Sequence, residues 1–117
     1  MAVKDVLGRF GEDVAAAHLE REGLVLVARN WRCREGEIDI VAVDGEVLVF
    51  CEVKTRSGLR FGSPAEAVSP VKLRRLKVLA ARWLSESPRV WIELRFDVVS
   101  VLRTPSGLVV DHLRAVL

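Results

Sequence analysis

Residues 36–54 read GEIDIVAVDGEVLVFCEVK, and the spacing of acids and apolar residues in this stretch decides the fold. Asp44-Gly45 is a preferred two-residue hairpin turn, because a type I′ turn needs positive φ at both central positions. With those residues at the turn, Val43 faces Glu46, Glu37 lies opposite Glu52, and Asp39 lies opposite Phe50. Asp39 and Glu52 become diagonal neighbours on one face, about 7–8 Å apart. Lys54 shares the parity of Glu52 and so joins that face. Ile38, Ile40 and Ala42 line one side with Val47, Val49, Cys51 and Val53, and Val41, Val43, Leu48 and Phe50 line the other. A hairpin apolar on both sides is central to a sheet and covered on both faces.

The charged residues of this hairpin are the chemical signal. Glu37, Asp39 and Glu52 repel one another unless a cation compensates, and like charges across a hairpin are destabilising. A divalent ion with Lys54 alongside is the arrangement a phosphodiesterase requires. The plainer alternative is a set of strand-end charges pointing into water. Such ends rarely place an acid at every second position and follow it with acid-x-Lys on the partner strand.

Outside the hairpin, residues 4–22 show a helical pattern, with Val6, Leu7, Phe10, Val14 and Ala17 toward the core and Gly23 as the C′ residue. Glu12 sits beside that stripe with Ala15, Ala16 and Leu19. Residues 24–31 alternate as a strand, and residues 55–62 form a polar loop expected to act as a flap. Ser63-Pro64-Ala65-Glu66 is a capping-box pattern, and Ser69-Pro70 repeats the cap-plus-proline signal before a helix over 70–86. Residues 89–103 read as a strand, Pro105-Ser106-Gly107 as a turn, and residues 108–114 as a last strand. The 117 residues therefore predict one α/β domain, 1–117, with a central mixed sheet flanked by helices in the order αβββαββ.

These features together resemble the YraN-type family of small bacterial proteins. The residues that carry the resemblance are GEID, the hairpin and EVK, preceded by Gly8, Gly11, Glu12, Asp13, Ala16 and Leu19 in the first helix. FGSPAEAVSPVKLRRL (61–76) and RFDVVSV (95–101) follow. The likeness spans nearly the whole chain. It implies the restriction-endonuclease-like, PD-(D/E)xK nuclease fold, more distantly similar to archaeal Holliday-junction resolvases. Ile38 stands where the usual proline precedes the metal-binding aspartate. The resemblance implies Mg²⁺ or Mn²⁺ held by Asp39, Glu52 and the backbone carbonyl of Val53. Glu12 would be an additional acid, Lys54 would orient or deprotonate the attacking water, and Glu37 would be auxiliary. The implied activity is metal-dependent endonuclease cleavage of DNA, branched or damaged DNA included; the alternative is a non-catalytic nucleic-acid-binding module on the same fold.

The charge distribution points to the same partner. Residues 1–52 hold six Lys and Arg against eleven Asp and Glu, whereas residues 53–84 hold eight against Glu66 alone. A basic block after an acidic pocket suits a polyanion, with Lys54, Arg56, Arg60, Lys72 and Arg75 as phosphate contacts. A merely solvated helix face is the alternative. No run approaches the ~18 apolar residues of a membrane span, and charges interrupt the first thirty residues, so a cytoplasmic protein without membrane contact is expected. Cys33 and Cys51 lack metal-ligand spacing and are expected to be reduced. Trp83 belongs to the core, while Trp31 and Trp91 are left open between core, base stacking and a dimer seam. Relatives that resolve four-way junctions act as dimers, which makes a homodimer an option that no residue here decides.

Overall fold

The computed structural model describes residues 3–57 and 69–117. The elements are α1 (Val3–Arg21), β1 (Val25–Cys33), β2 (Gly36–Asp44), β3 (Val47–Ser57), α2 (Pro70–Ser85), β4 (Glu93–Thr104) and β5 (Gly107–Leu113). The order αβββαββ is the one expected from the sequence. The five strands form one sheet in the order β1-β2-β3-β4-β5, antiparallel except for the β3–β4 pair. Parallel neighbours cannot be joined by a tight turn, so the chain between β3 and β4 crosses over the sheet and carries α2 with it.

The hairpin is covered on both faces, as its composition requires. Ile40, Ala42, Val49 and Cys51 pack with Val99 and Val101 beneath Ala15, Ala16 and Leu19 of α1. Val41, Leu48 and Phe50 pack beneath Leu76, Leu79 and Ala80 of α2. The register differs from expectation by two residues: Asp44 pairs with Val47, and Ile40 with Cys51. The turn is Gly45-Glu46. Gly45 has φ 65°, and Glu46 is not among the residues with positive φ. That combination fits a type II′ turn, which asks for glycine at its first central position. A shift by two preserves facing, so Glu52 and Lys54 keep the side of β3 assigned to them.

Two expectations about the core are corrected. Ile38 does not share a face with Ile40, because it packs on the α2 side while Ile40 packs on the α1 side. Alternation therefore breaks at Asp39. Opposite it in β1, Asn30 has φ 52°, and the Asn30–Asp39 pair is missing between Arg29↔Ile40 and Trp31↔Ile38 although the register on either side is the same. In α1 the buried residues are Gly11, Ala15, Ala16 and Leu19, with Val14 packed partly buried against the core as expected, whereas Val6 (54% exposed) and Phe10 (44%) are exposed. At Gly11 this face has no room for a side chain, because the helix there lies close to β3. A Cβ on Gly11 would collide with the Thr55 side chain.

The helix ends behave as read. Leu24 N–H donates to Leu19 C=O (3.1 Å) and Gly23 N–H to Glu20 C=O (3.0 Å), a Schellman closure with Gly23 at φ 96°. At α2, Ser69 Oγ accepts from Lys72 N–H at 3.2 Å, with Pro70 beginning the helix. Of the loop assigned to 55–62, Thr55–Ser57 belong to β3. The rest, like the Ser63–Glu66 capping box, lies outside the described residues. Cys33 and Cys51 are free thiols.

Candidate functional site

The break at Asp39 builds the site. Pairing between β2 and β3 ends at Ile40↔Cys51, so beyond this point the strands separate and β3 is left with an unpaired N–H. Asp39 supplies the acceptor: Val53 N–H donates to Asp39 Oδ2 at 2.8 Å. One carboxylate thus replaces a rung of the ladder and is held where the sheet opens. The separation opens a cleft of about 200 Å³ lined by Gly36, Glu37, Asp39, Glu52, Lys72, Arg75, Leu76 and Leu79. On the α1 side Asp39 also borders a second hollow with Leu7, Gly8, Glu12, Val53, Lys54 and Thr55. Asp39 is the residue common to both. Glu52 and Lys54, two apart on β3, each open to one of the two hollows. Of the four charges expected on one face, Glu37, Asp39 and Glu52 line the first cleft together, and Lys54 lines the second hollow while staying close to Lys72 and Glu52.

Electrostatics mark this place as short of positive charge. Burial, together with Glu12, Glu52 and Glu37, pushes the Asp39 carboxyl up to about 7 against the lowering effect of the Val53 hydrogen bond. Glu12 is raised too, first by burial and then by Glu37, while Arg29 and a hydrogen bond from Asn30 pull it back. Glu12 Oε1 is buried without a hydrogen-bond partner. Gly11 is what lets α1 come near enough to deliver that glutamate. Glu37 is exposed and pairs with Arg32 at 3.5 Å.

The cations come from β3 and α2. Lys72 Nζ stands 3.9 Å from Glu52 Oε1. Its proximity is the main reason the Lys54 ammonium titrates below its usual range, with burial and Arg56 adding to the effect and Glu52 opposing it. Arg56 bonds Ser100 Oγ at 3.3 Å. Arg75 lines the cleft beside Lys72, and Arg60 lies outside the described residues. The sequence led to Lys72 being expected as a phosphate contact and gave no sign of its pairing with Glu52. Sequence reasoning also missed Asn30, the chain's only asparagine, whose tolerance of positive φ was the available signal.

Among the described residues no three His, Cys, Asp or Glu side chains converge closely enough to hold an ion unaided. The donor chemistry nevertheless fits a hard cation. Mg²⁺ takes one or two carboxylates, keeps several waters and completes its shell with substrate oxygens. An orphaned buried carboxylate oxygen and an aspartate kept near neutrality are two groups that such a cation would satisfy.

A second polar cluster was not foreseen. Asp97 is buried (0% exposed) and accepts from Arg95 Nε (2.9 Å), His112 Nε2 (2.7 Å) and Ala115 N–H (3.0 Å). The other His112 nitrogen meets Glu22 Oε1 at 2.7 Å, and Arg114 bonds Glu22 at 3.1 Å. The cluster ties β4 and β5 to the end of α1. It holds no nucleophile, and its groups satisfy one another, so its role is structural.

The architecture defines a small α/β protein with an acidic cleft at the point where a mixed sheet opens. The chain belongs to the YraN family, whose model, described as "Uncharacterised protein family UPF0102", matches residues 11–101. It is 61% identical to a UPF0102 protein of Frankia alni over 97% of this chain and 96% of that one. It is 59% identical to a UPF0102 protein of Beutenbergia cavernae over 99% of each. Identity to the UPF0102 protein of Acidothermus cellulolyticus is 47%, over 97% of this chain and 94% of that one. No helix among the described residues is long and apolar enough to cross a membrane.

Proposed function

We propose that this protein is a metal-dependent endonuclease that hydrolyses phosphodiester bonds in DNA, built on the restriction-endonuclease-like scaffold and acting in the cytoplasm. The observation that carries this reading is Asp39, half-buried where the sheet opens near Glu12, Glu37 and Glu52, with its carboxyl pushed up to about 7. Asp39, Glu52, the Val53 carbonyl and Glu12 would hold Mg²⁺ or Mn²⁺. When bound, such an ion polarises the phosphoryl group and makes a water more acidic.

The remaining work falls to the protein's own groups. Lys54 Nζ, its pKa lowered by Lys72, is suited to exchange a proton with the attacking water. Lys72 and Arg75 line the cleft with Asp39 and Glu52 and would bind phosphate oxygens, with arginine offering two parallel N–H donors. Substrate phosphates would draw Lys72 from Glu52 and free that carboxylate.

One observation favours the alternative of a nucleic-acid-binding module without turnover: Lys72 already compensates Glu52, and among the described residues no three-ligand shell is assembled. Cleavage assays on branched, single-stranded and duplex DNA with EDTA, Mg²⁺ and Mn²⁺ separate the two. The proposal expects metal-dependent nicking that disappears in Glu52→Gln combined with Lys54→Ala. Binding without cleavage in either metal supports the module. Cleavage that survives the double substitution refutes the assigned roles.

A further inference from the structure

All three tryptophans of the chain line one hollow. Its volume is about 370 Å³, within the ~300–1,000 Å³ of small-ligand pockets. The walls are Trp31 from β1, Trp83 from α2 and Trp91 from the segment before β4, with Val27, Pro88 and Arg89 around them. Trp83 meets Phe50 edge-to-face at 5.7 Å between ring centres, which fixes its plane. The Arg89 guanidinium lies over Trp91, 3.8 Å from the ring centre. The Trp91 indole N–H is buried without an acceptor, so apolar packing and the guanidinium hold that ring. The acids nearby are already compensated: Arg82 binds Glu86 at 2.7 Å and Glu35 at 3.1 Å.

From these residues we infer that the tryptophan hollow receives an unpaired nucleobase, so that the substrate class is nucleic acid with single-stranded or extrahelical nucleotides. This rests on the nucleic-acid reading above. Two features favour a base over another apolar ligand. An arginine stacked on an indole marks a face that accepts a flat, electron-rich partner, and Arg planes themselves stack on bases. The hollow also continues the cationic lane of the acidic cleft. Lys72 and Trp83, eleven residues apart, share one side of α2 about 16 Å apart along its axis, with Arg75 near that side between them. A strand whose backbone follows α2 would place one base among the indoles and a phosphate a few nucleotides away beside Glu52. A fully paired duplex, with every base stacked inside, has none to offer.

Because no tryptophan lies elsewhere, intrinsic emission reports on this hollow alone. The test titrates the full chain in EDTA with oligo-thymidylate and with a blunt duplex of equal length, while dye anisotropy on the nucleic acid measures binding independently. The single strand should change tryptophan emission along its binding curve, and the duplex should bind with little change. Trp91→Leu, which keeps an apolar filling, should weaken single-strand affinity by about 5- to 150-fold, the span of one base stacked on an aromatic side chain. Duplex affinity should stay within about twofold. Single-strand binding with unaltered emission and unaltered Trp91→Leu affinity overturns the base site and leaves the endonuclease reading intact. Failure to bind either nucleic acid overturns both. Emission that instead follows protein concentration, with sedimentation showing a dimer lost in Trp91→Leu, overturns the base site and assigns the hollow to a second copy. Val90 (88% exposed) and Ile92 (99%) flank Trp91 and would be covered in such a dimer.

Discussion

Replacing Asp39 by asparagine should stabilise the metal-free protein at alkaline pH while abolishing cleavage. The carboxyl, ordinarily near 4, is raised to about 7. A raised aspartate contributes no penalty below its unfolded pKa, and the penalty grows as pH climbs to the folded one. Above pH 7 the gap amounts to about 4 kcal/mol. The asparagine side chain would keep an oxygen for the Val53 N–H and carry no charge against Glu12, Glu37 and Glu52. Its amide hydrogens would need acceptors, and Glu12 Oε1 is a buried one still unmet. Allowing for that and for coupling among the acids, about 2–4 kcal/mol of stabilisation at pH 8 remains. At ~2 kcal/mol/M, the middle of the range for small proteins, this raises the urea midpoint by about 1–2 M. The measurement is urea unfolding of both proteins in EDTA at pH 4 and pH 8, with the gain confined to pH 8. Added Mn²⁺ should then stabilise wild type and leave the variant unchanged. An Asp39→Asn protein less stable than wild type at pH 8, or a gain equal at both pH values, would refute the crowded-acid account.

Other perturbations follow from the same geometry. Gly11→Ala should cost about 1–3 kcal/mol, since its methyl group must displace Thr55 or lift α1; thermal melting that matches wild type would show the helix free to move. Ser69→Ala removes the acceptor for Lys72 N–H and should lower stability by about 1 kcal/mol, read by urea unfolding. The latch around Asp97 should give a pH window. Burial alone would lower the His112 pKa, but hydrogen bonds to Asp97 and Glu22 raise it, so its contribution is complete below about 6.5 and is lost as pH rises through the folded value. Burial likewise opposes the lowering of Asp97 and Glu22 by His112 and their arginines; these two stabilise above about 4.5 and lose that effect as pH falls through their folded values. The cluster should therefore contribute most, and vary least with pH, between about pH 4.5 and 6.5, and His112→Leu should flatten the alkaline side of the wild-type profile.

The element order, the two covered faces of the hairpin and the Ser69-Pro70 helix start were legible because each depends on near neighbours in sequence. The hairpin register was misread by two because Asp-Gly and Gly-Glu both suit short turns, and period-2 patterning cannot distinguish a shift that preserves facing. The error left Glu52 on the side of β3 assigned to it. The α1 face was misread for a different reason. Large apolar residues mark the core of an average helix, but here Gly11 meets β3 with no room for a side chain, and Val6 and Phe10 are exposed. The switch at Asp39 lies opposite Asn30 in the neighbouring strand, and the Asp97 latch joins residues from three elements. Such contacts exist only after folding and leave little pattern in the chain.

The parallel pairing of β3 with β4 has a consequence for how the protein is made. The first 52 residues contain a marked excess of anionic groups, and during synthesis the Asp39 end of the hairpin emerges well before any lysine or arginine of α2. An early hairpin therefore has its negative groups drawn together with only β1 arginines such as Arg29 and Arg32 to offset them. The crossover that finishes the sheet also lays the cationic helix alongside, so closing the architecture and relieving that repulsion are a single event.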